Sequence, residues 1–226
     1  MRKEKQFNSV IICGVILVVL MVCLAESCLA ETPSVDELLL QAEKFMKLGQ
    51  PDIALDYYQK ALEPDPDNLD GLFGKALVLS QLDRREEALD AVDRAIMIDP
   101  GSQEMWVFRG MILREMEELD ESLKSLDRAV LLDTGKREAW MERSLTQSSM
   151  GLQAQSLESI EAAIRANPRH PGTWVVKSLM ERATGNLPRA RRSLHRGFRL
   201  GEDSIKEKMQ EFLLFILQQE IQQRKE

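Results

Sequence analysis

The chain has 226 residues and a formal net charge of −7, with 30% charged and only 5% aromatic residues. The overall acidity argues against nucleic acid as a partner, because binding to phosphates needs an excess of Lys and Arg. The three cysteines, Cys13, Cys23 and Cys28, lie in the first thirty residues, so the remainder offers no disulfide, thiolate nucleophile or cysteine-ligated metal site.

Residues 1–30 have the pattern of an export signal. A basic start is followed by sixteen uncharged, mostly apolar residues at positions 10–25. Cys28 and Ala30 then place small residues at the two positions that a signal peptidase recognises, so we expect cleavage after Ala30. The alternative is an uncleaved membrane anchor, although the run is shorter than the roughly 20 apolar residues that a span needs. Glu26, just before Cys28, disfavours a lipoprotein signal.

Beyond this segment, several residue types recur at a step of 34 residues. Trp106, Trp140 and Trp174, the only tryptophans, are spaced in this way, and Leu38 and Leu72 extend their series backwards. Small and turn residues follow the same step: Ala61, Ala95, Ala129, Ala163 and Gly197, and Pro66, Pro100, Thr134 and Pro168. A period of 34 is typical of a helix–turn–helix solenoid, so we predict an all-α fold.

The period divides the chain into five units, each with a helix A, a short turn and a helix B: 35–68, 69–102, 103–136, 137–170 and 171–204. In the second unit we predict helix A at residues 69–81 and helix B at residues 86–98. Pro100 ends this helix B, because proline lacks an amide hydrogen and clashes with the preceding turn. Glycines in three A–B turns, Gly49, Gly151 and Gly185, allow the positive φ that often follows a helix.

Small residues on helix B predict a close approach to helix A. They recur early in each helix B, at Ala54, Ala88, Ser122, Ser156 and Ala190, and again two turns later in the alanine series. Larger residues between the two small positions are expected to fill the core: Tyr58, Val92, Leu126, Ile160 and Leu194.

This pattern resembles the tetratricopeptide repeat (TPR) over residues 35–204. The fullest match within one unit is Trp106, Gly110, Leu113, Ser122, Leu126 and Ala129. Gln147 and Glu181 replace the aromatic expected late in helix A, so the last two units match least well. The resemblance implies a right-handed superhelix of five units, occupying residues 31–204. It also implies a C-terminal capping helix at 205–226, where residues 212–217 are apolar around the whole circumference.

Candidate chemistry is sparse. The two histidines, His170 and His195, have no metal-ligand spacing around them, and we expect both on the solvated surface. No nucleotide-binding or hydrolase motif is present. We therefore predict no catalytic residue, no metal site, no cofactor and no enzymatic activity.

The resemblance also implies that helix A lines a concave groove. Two positions of helix A there are apolar in units two to five, and they are our predicted partner-binding residues: Phe73, Leu77, Val107, Met111, Met141, Leu145, Val175 and Leu179. Chaperone-binding members of the family use Lys and Asn there to hold a carboxylate, and this chain has neither. We expect an extended peptide or an amphipathic helix instead. Alternatively, the chain's own tail or N-terminal segment covers the groove.

Charge is distributed unevenly along the chain. Residues 31–102 carry 16 acidic and 7 basic residues, whereas residues 165–208 carry 11 basic and 4 acidic residues. Helical spacing distributes five of these basic residues around helix B of the fifth unit: Arg189, Arg191, Arg192, Arg196 and Arg199. Such a cluster suits an acidic partner or anionic lipid headgroups, and the alternative is a merely solvated face.

Together these features predict an exported, periplasmic or extracellular scaffold that binds a protein or peptide partner. Its work would be the assembly or tethering of a cell-envelope or secretion complex. Two alternatives are a homodimer formed through residues 205–226 and a non-catalytic accessory subunit of an enzyme. An uncleaved N-terminal segment would add membrane association.

Overall fold

The computed structural model describes residues 33–201, which form helices and turns with no strand among them. The ten helices of this region are α1 (Val35–Lys47), α2 (Pro51–Leu62), α3 (Leu69–Gln81), α4 (Arg85–Ile98), α5 (Gln103–Glu115), α6 (Leu119–Leu132), α7 (Arg137–Ser149), α8 (Gln153–Ala166), α9 (Pro171–Ala183) and α10 (Leu187–Leu200). The predicted all-α fold is confirmed. Helix A of the second unit has its predicted bounds, whereas Arg85, which we placed in the turn, already begins α4.

Packing contacts are confined to near neighbours along the chain. Each odd-numbered helix packs against the even-numbered helix that follows it, and that helix packs against the next odd-numbered one. Helices α1 and α3, α5 and α7, and α7 and α9 also meet directly. This succession of helix pairs is the arrangement of a solenoid, in which each repeat contacts only its neighbours.

The turn from helix A to helix B has the same backbone geometry in every unit. One residue per turn has φ between 63° and 76°, and these residues are Gly49, Asp83, Glu117, Gly151 and Gly185. The amide of the following residue bonds to the carbonyl five positions earlier, as Gln50 does to Phe45 at 2.9 Å. This is the bond pattern of a Schellman motif, which satisfies the free carbonyls at a helix end. The positive φ expected at the three glycines is confirmed.

The core confirms the predicted close approach of helices A and B. The small residues of helix B are fully buried, and Leu126, Ile160 and Leu194 between them are 0% exposed. A methyl group added at Gly110 would lie 2.6 Å from the Leu126 side chain, so the space is already filled. Where helix B carries a serine instead of alanine, the hydroxyl is satisfied, and Ser122 donates to the Gly110 carbonyl at 2.7 Å.

Some predictions fall outside the described residues. These are the export signal at 1–30, the capping helix at 205–226 and the homodimer through that helix. Within residues 33–201, none of the helices has the length and apolar character needed to cross a bilayer.

Candidate functional site

The tryptophan and proline series meet in one hydrogen bond that recurs in three units. Each indole Nε1 donates to the carbonyl oxygen six residues earlier, at 2.9 to 3.0 Å. The pairs are Trp106 with Pro100, Trp140 with Thr134, and Trp174 with Pro168. The tryptophans therefore fix the loop that joins consecutive units. Because the acceptor is a main-chain carbonyl, which every residue has, Thr134 can take the place of proline in this bond.

A polar clamp, which was not predicted from the sequence, connects consecutive units. The Arg109 Nε of α5 donates to Asp93 of α4 at 2.6 Å, and one of its terminal nitrogens donates to the Ser125 hydroxyl of α6 at 2.7 Å. The clamp recurs one unit later in Arg143, Asp127 and Ser159, and its ion pair recurs again in Lys177 and Glu161. The clamp residues also follow the 34-residue step, which is the signal that could have revealed them.

A cavity of about 700 Å³ opens between α3 and α5 and is hereafter the α3–α5 cavity. Its walls are Phe73, Leu77, Gln103, Glu104, Val107, Phe108, Met111, Lys136 and Glu138. Phe73 and Phe108 meet edge to face with ring centroids 5.6 Å apart. Helices α3 and α5 approach each other less closely than the other consecutive A helices do, which leaves room for the cavity.

The structure brings four of the eight predicted groove residues together in this cavity: Phe73, Leu77, Val107 and Met111. Met141, Leu145, Val175 and Leu179 are partly buried and do not line it. Val175 instead packs against the buried Ala190 and Leu194 of α10. Phe108, which was not predicted from the sequence, also lines the cavity, where its ring meets that of Phe73 edge to face.

The wall of the cavity is apolar and its rim is charged. Gln103 is held rigidly, since its side-chain amide donates to the carbonyls of Ala129 at 2.8 Å and Asp133 at 2.6 Å at the end of α6. Glu104, Lys136 and Glu138 are exposed and place two acidic side chains and one basic side chain at the edge. A ligand that fits would therefore have an apolar anchor and polar flanks.

The five arginines of α10 share one side of that helix. They are all exposed, and the opposite side of the helix buries Ala190, Leu194 and Gly197. The spacing of three, four and three residues places Arg189, Arg192, Arg196 and Arg199 in a single stripe, because a helix has 3.6 residues per turn. The arginines therefore occupy a narrower part of the helix circumference than the predicted spread around the helix. We call these five residues the arginine face.

The two histidines differ in their surroundings. His195 is exposed on α10, as expected. His170 is partly buried instead, because its Nδ1 lies 3.3 Å from the backbone nitrogen of Thr173 and caps the start of α9. Within residues 33–201, no group of three or more His, Cys, Asp and Glu side chains is placed to hold a metal ion.

Two family models of the tetratricopeptide repeat match the chain, one over residues 39–104 and one over residues 103–135. They agree with the helix pairs, the buried small residues and the recurring turns described above. The chain is a tetratricopeptide repeat protein. Tetratricopeptide repeats are protein-interaction scaffolds and are generally non-catalytic. A comparison with curated protein sequences finds no significant match.

Solved structures share the TPR fold of this chain. MamA is 22% identical, with a TM-score of 0.63 over 73% of this chain and 96% of MamA. PilW, described as a widely conserved type IV pilus biogenesis factor, is 17% identical, with a TM-score of 0.71 over 81% of this chain and 86% of PilW. YrrB, described as a TPR protein with an unusual peptide-binding site, is 20% identical, with a TM-score of 0.57 over 75% and 88%.

Proposed function

We infer that this TPR protein is a non-catalytic scaffold that holds an apolar segment of a protein partner in the α3–α5 cavity. The observation that carries the proposal is a cavity of about 700 Å³ whose wall combines Phe73, Leu77, Phe108 and Met111 from two consecutive A helices. Ligand pockets in proteins have volumes of roughly 300–1,000 Å³ and mostly apolar walls. The cavity therefore has the size and chemistry of a recognition site.

The shape of the site favours an amphipathic helix or an extended peptide with one or two large apolar anchors. Leu77 is 36% exposed and is the most accessible part of the apolar wall that an anchor would cover. Burial of apolar area stabilises such a complex by about 25 cal/mol per Å², from which the cost of ordering the ligand must be subtracted. The flexible Met111 side chain suits anchors of different shape.

The proposed place of action is outside the cytoplasm, in the assembly or tethering of a cell-envelope or secretion complex. The export pattern of residues 1–30 supports this location. The fold-level likeness to a pilus biogenesis factor agrees with such a role. An intact mass of the purified chain that begins at Glu31 would support export with cleavage, and a chain that retains residues 1–30 would contradict cleavage.

Acidic residues placed in the α3–α5 cavity test the proposed partner binding. We expect Leu77→Glu combined with Met111→Glu to abolish capture of partners from an envelope extract by the full-length chain, measured by quantitative mass spectrometry. The matched control is Met97→Glu with Leu131→Glu, because both of these side chains are 75% exposed and lie outside the cavity. Circular dichroism should show the same helix content in both variants. Equal capture by both variants would contradict the proposed site.

A further inference from the structure

Three members of the arginine face have no acidic partner among residues 33–201. Arg189, Arg192 and Arg199 form no ion pair within this part of the chain. Most arginines of the earlier units do form one: Arg84, Arg85, Arg94, Arg109, Arg114, Arg137 and Arg143. The arginine face thus presents guanidinium groups to solvent that can still bind a carboxylate in the bidentate geometry they prefer.

Helix α2, at the other end of the described solenoid, presents the complementary surface. Asp52 and Asp56 of α2, and Glu63 at its C-terminal cap, are exposed, lie on one side of the helix and form no ion pair with another described residue. Asp56 and Glu63 occupy the same positions in the first unit that Arg192 and Arg199 occupy in the fifth. Each pair is seven residues apart, which is about 10 Å along a helix. The two surfaces therefore match in spacing and have opposite charge.

We propose that the arginine face of one copy of this chain binds α2 of a second copy, head to tail. The two surfaces cannot meet within one molecule, because the units contact only their neighbours and three units separate them. Each bound pair leaves one α2 and one arginine face unused, so further copies add in the same way unless the rotation between them closes a ring.

The composition of the arginine face favours a carboxylate surface over a membrane. Peripheral helices that bind bilayers insert large apolar side chains beside their basic residues. The outer side of α10 has none, since the exposed large apolar residues of the described region all lie on other helices and turns. The individual ion pairs are exposed and weak, so the association depends on several of them together and is sensitive to salt.

Sedimentation velocity of the full-length chain in a non-ionic detergent tests the proposal. We expect assemblies of two or more copies at about 0.05 M salt and single copies at about 0.5 M, because salt screens exposed charges. Two variants reverse one surface each: Arg192→Glu with Arg199→Glu, and Asp56→Lys with Glu63→Lys. Each variant alone should associate at least about tenfold more weakly than the wild type.

Mixing the two variants gives the decisive result. The first variant retains an intact α2 surface and the second retains an intact arginine face, so an equimolar mixture should associate where neither variant does alone. The two reversed surfaces are also opposite in charge, so the assemblies should contain both variants in equal numbers. Arg128→Glu with Arg165→Glu is the matched control, since it makes the same change in net charge as Arg192→Glu with Arg199→Glu, at two exposed positions of α6 and α8 that lie outside the α3–α5 cavity. This control should associate as the wild type does.

Any of four outcomes would overturn the proposal. The wild type could remain a single copy at low salt, or the two folded variants could fail to combine, or the control could lose association as completely as the surface variants. Salt-sensitive binding of the wild type to anionic vesicles without self-association would assign the arginine face to a membrane and would equally overturn it.

Discussion

Individual residues in the A–B turns adopt an unfavourable backbone conformation in two of the five units. Asp83 and Glu117 have φ of 63° and 64°, where the other units have glycine. An L-residue in the left-handed region costs about 1–2 kcal/mol, whereas glycine adopts it freely. The Schellman motif around each turn holds the backbone there in spite of this cost.

We expect Glu117→Gly to raise the free energy of unfolding by up to about 1 kcal/mol, because relief of the left-handed strain exceeds the entropy lost by glycine. Urea denaturation of the full chain measures the change. Asp83→Gly is the comparison and should gain less, since it also removes the ion pair of Asp83 with Arg85. A loss of stability in Glu117→Gly would show that the turn is not strained.

Two other residues show that the last two units, which match the family pattern least well, are nevertheless well packed. Gln147 and Glu181 occupy an aromatic position of the family, yet they are only 1% and 6% exposed. The Gln147 amide lies 2.7 Å from the Ser159 hydroxyl, and Glu181 accepts a hydrogen bond from Ser193 at 2.6 Å. The serines that satisfy these buried groups lie on helix B, so a pattern taken from helix A alone could not reveal them.

At the scale of the helix, boundaries were predictable because local signals determine them. Pro100 and the 34-residue step placed the helices of the second unit to within one residue of the observed ones. The polar clamp was not predicted, because Arg109 reaches Asp93 and Ser125 sixteen residues away on two different helices. No helical period within one element brings such residues together.

The imidazole of His170 caps the first turn of α9. The Nδ1 atom of His170 accepts from the Thr173 amide only while that nitrogen is unprotonated. Burial, and secondarily the charge of Arg137, lower the pKa of His170 below its ordinary value of 6.5. The folded state therefore binds this proton less readily than the unfolded state does.

We expect the fifth unit to lose stability as the pH falls below about 6.5, and to have its full stability above that pH. The unfolding midpoint measured from about pH 8 to about pH 5 should fall more steeply in the wild type than in His170→Asn, since asparagine caps a helix without titrating. Identical pH profiles for the two proteins would show that the imidazole does not contribute to this dependence.

At the scale of the whole molecule, stability is a sum of the units and the interfaces between them. The clamps and the tryptophan bonds cross those interfaces at regular intervals. Four residues of the site were predicted from the sequence, namely Phe73, Leu77, Val107 and Met111. They lie between α3 and α5, which approach each other less closely than the other consecutive A helices do. The sequence could not show this gap, because the same two positions are apolar in units two to five and only the distance between the helices distinguishes the units.

We expect Arg143→Ala to destabilise the chain by about 1–2 kcal/mol, because it removes a partly exposed ion pair and a hydrogen bond to Ser159. Hydrogen exchange should become faster in α7–α10 than in α1–α4, since the lost clamp joins the last two units to the rest. Arg128→Ala removes an exposed arginine of α6 and should leave both regions unchanged. Uniformly faster exchange would contradict a clamp that acts at one interface.

The tryptophan bond to the preceding loop uses a main-chain acceptor at a constant distance in sequence. The clamp joins side chains, and these also lie at a constant distance in sequence. Excision of residues 137–170 would bring Thr134 six positions before Trp174 and Asp127 sixteen before Lys177, so the tryptophan bond and the ion pair of the clamp would each form again across the new junction. The pair of Arg114 with Glu142 would be lost, because Val176 takes the place of Glu142. Gain or loss of a complete period thus keeps the two recurring contacts between units, and the molecule can change its length in evolution without new residues to supply them.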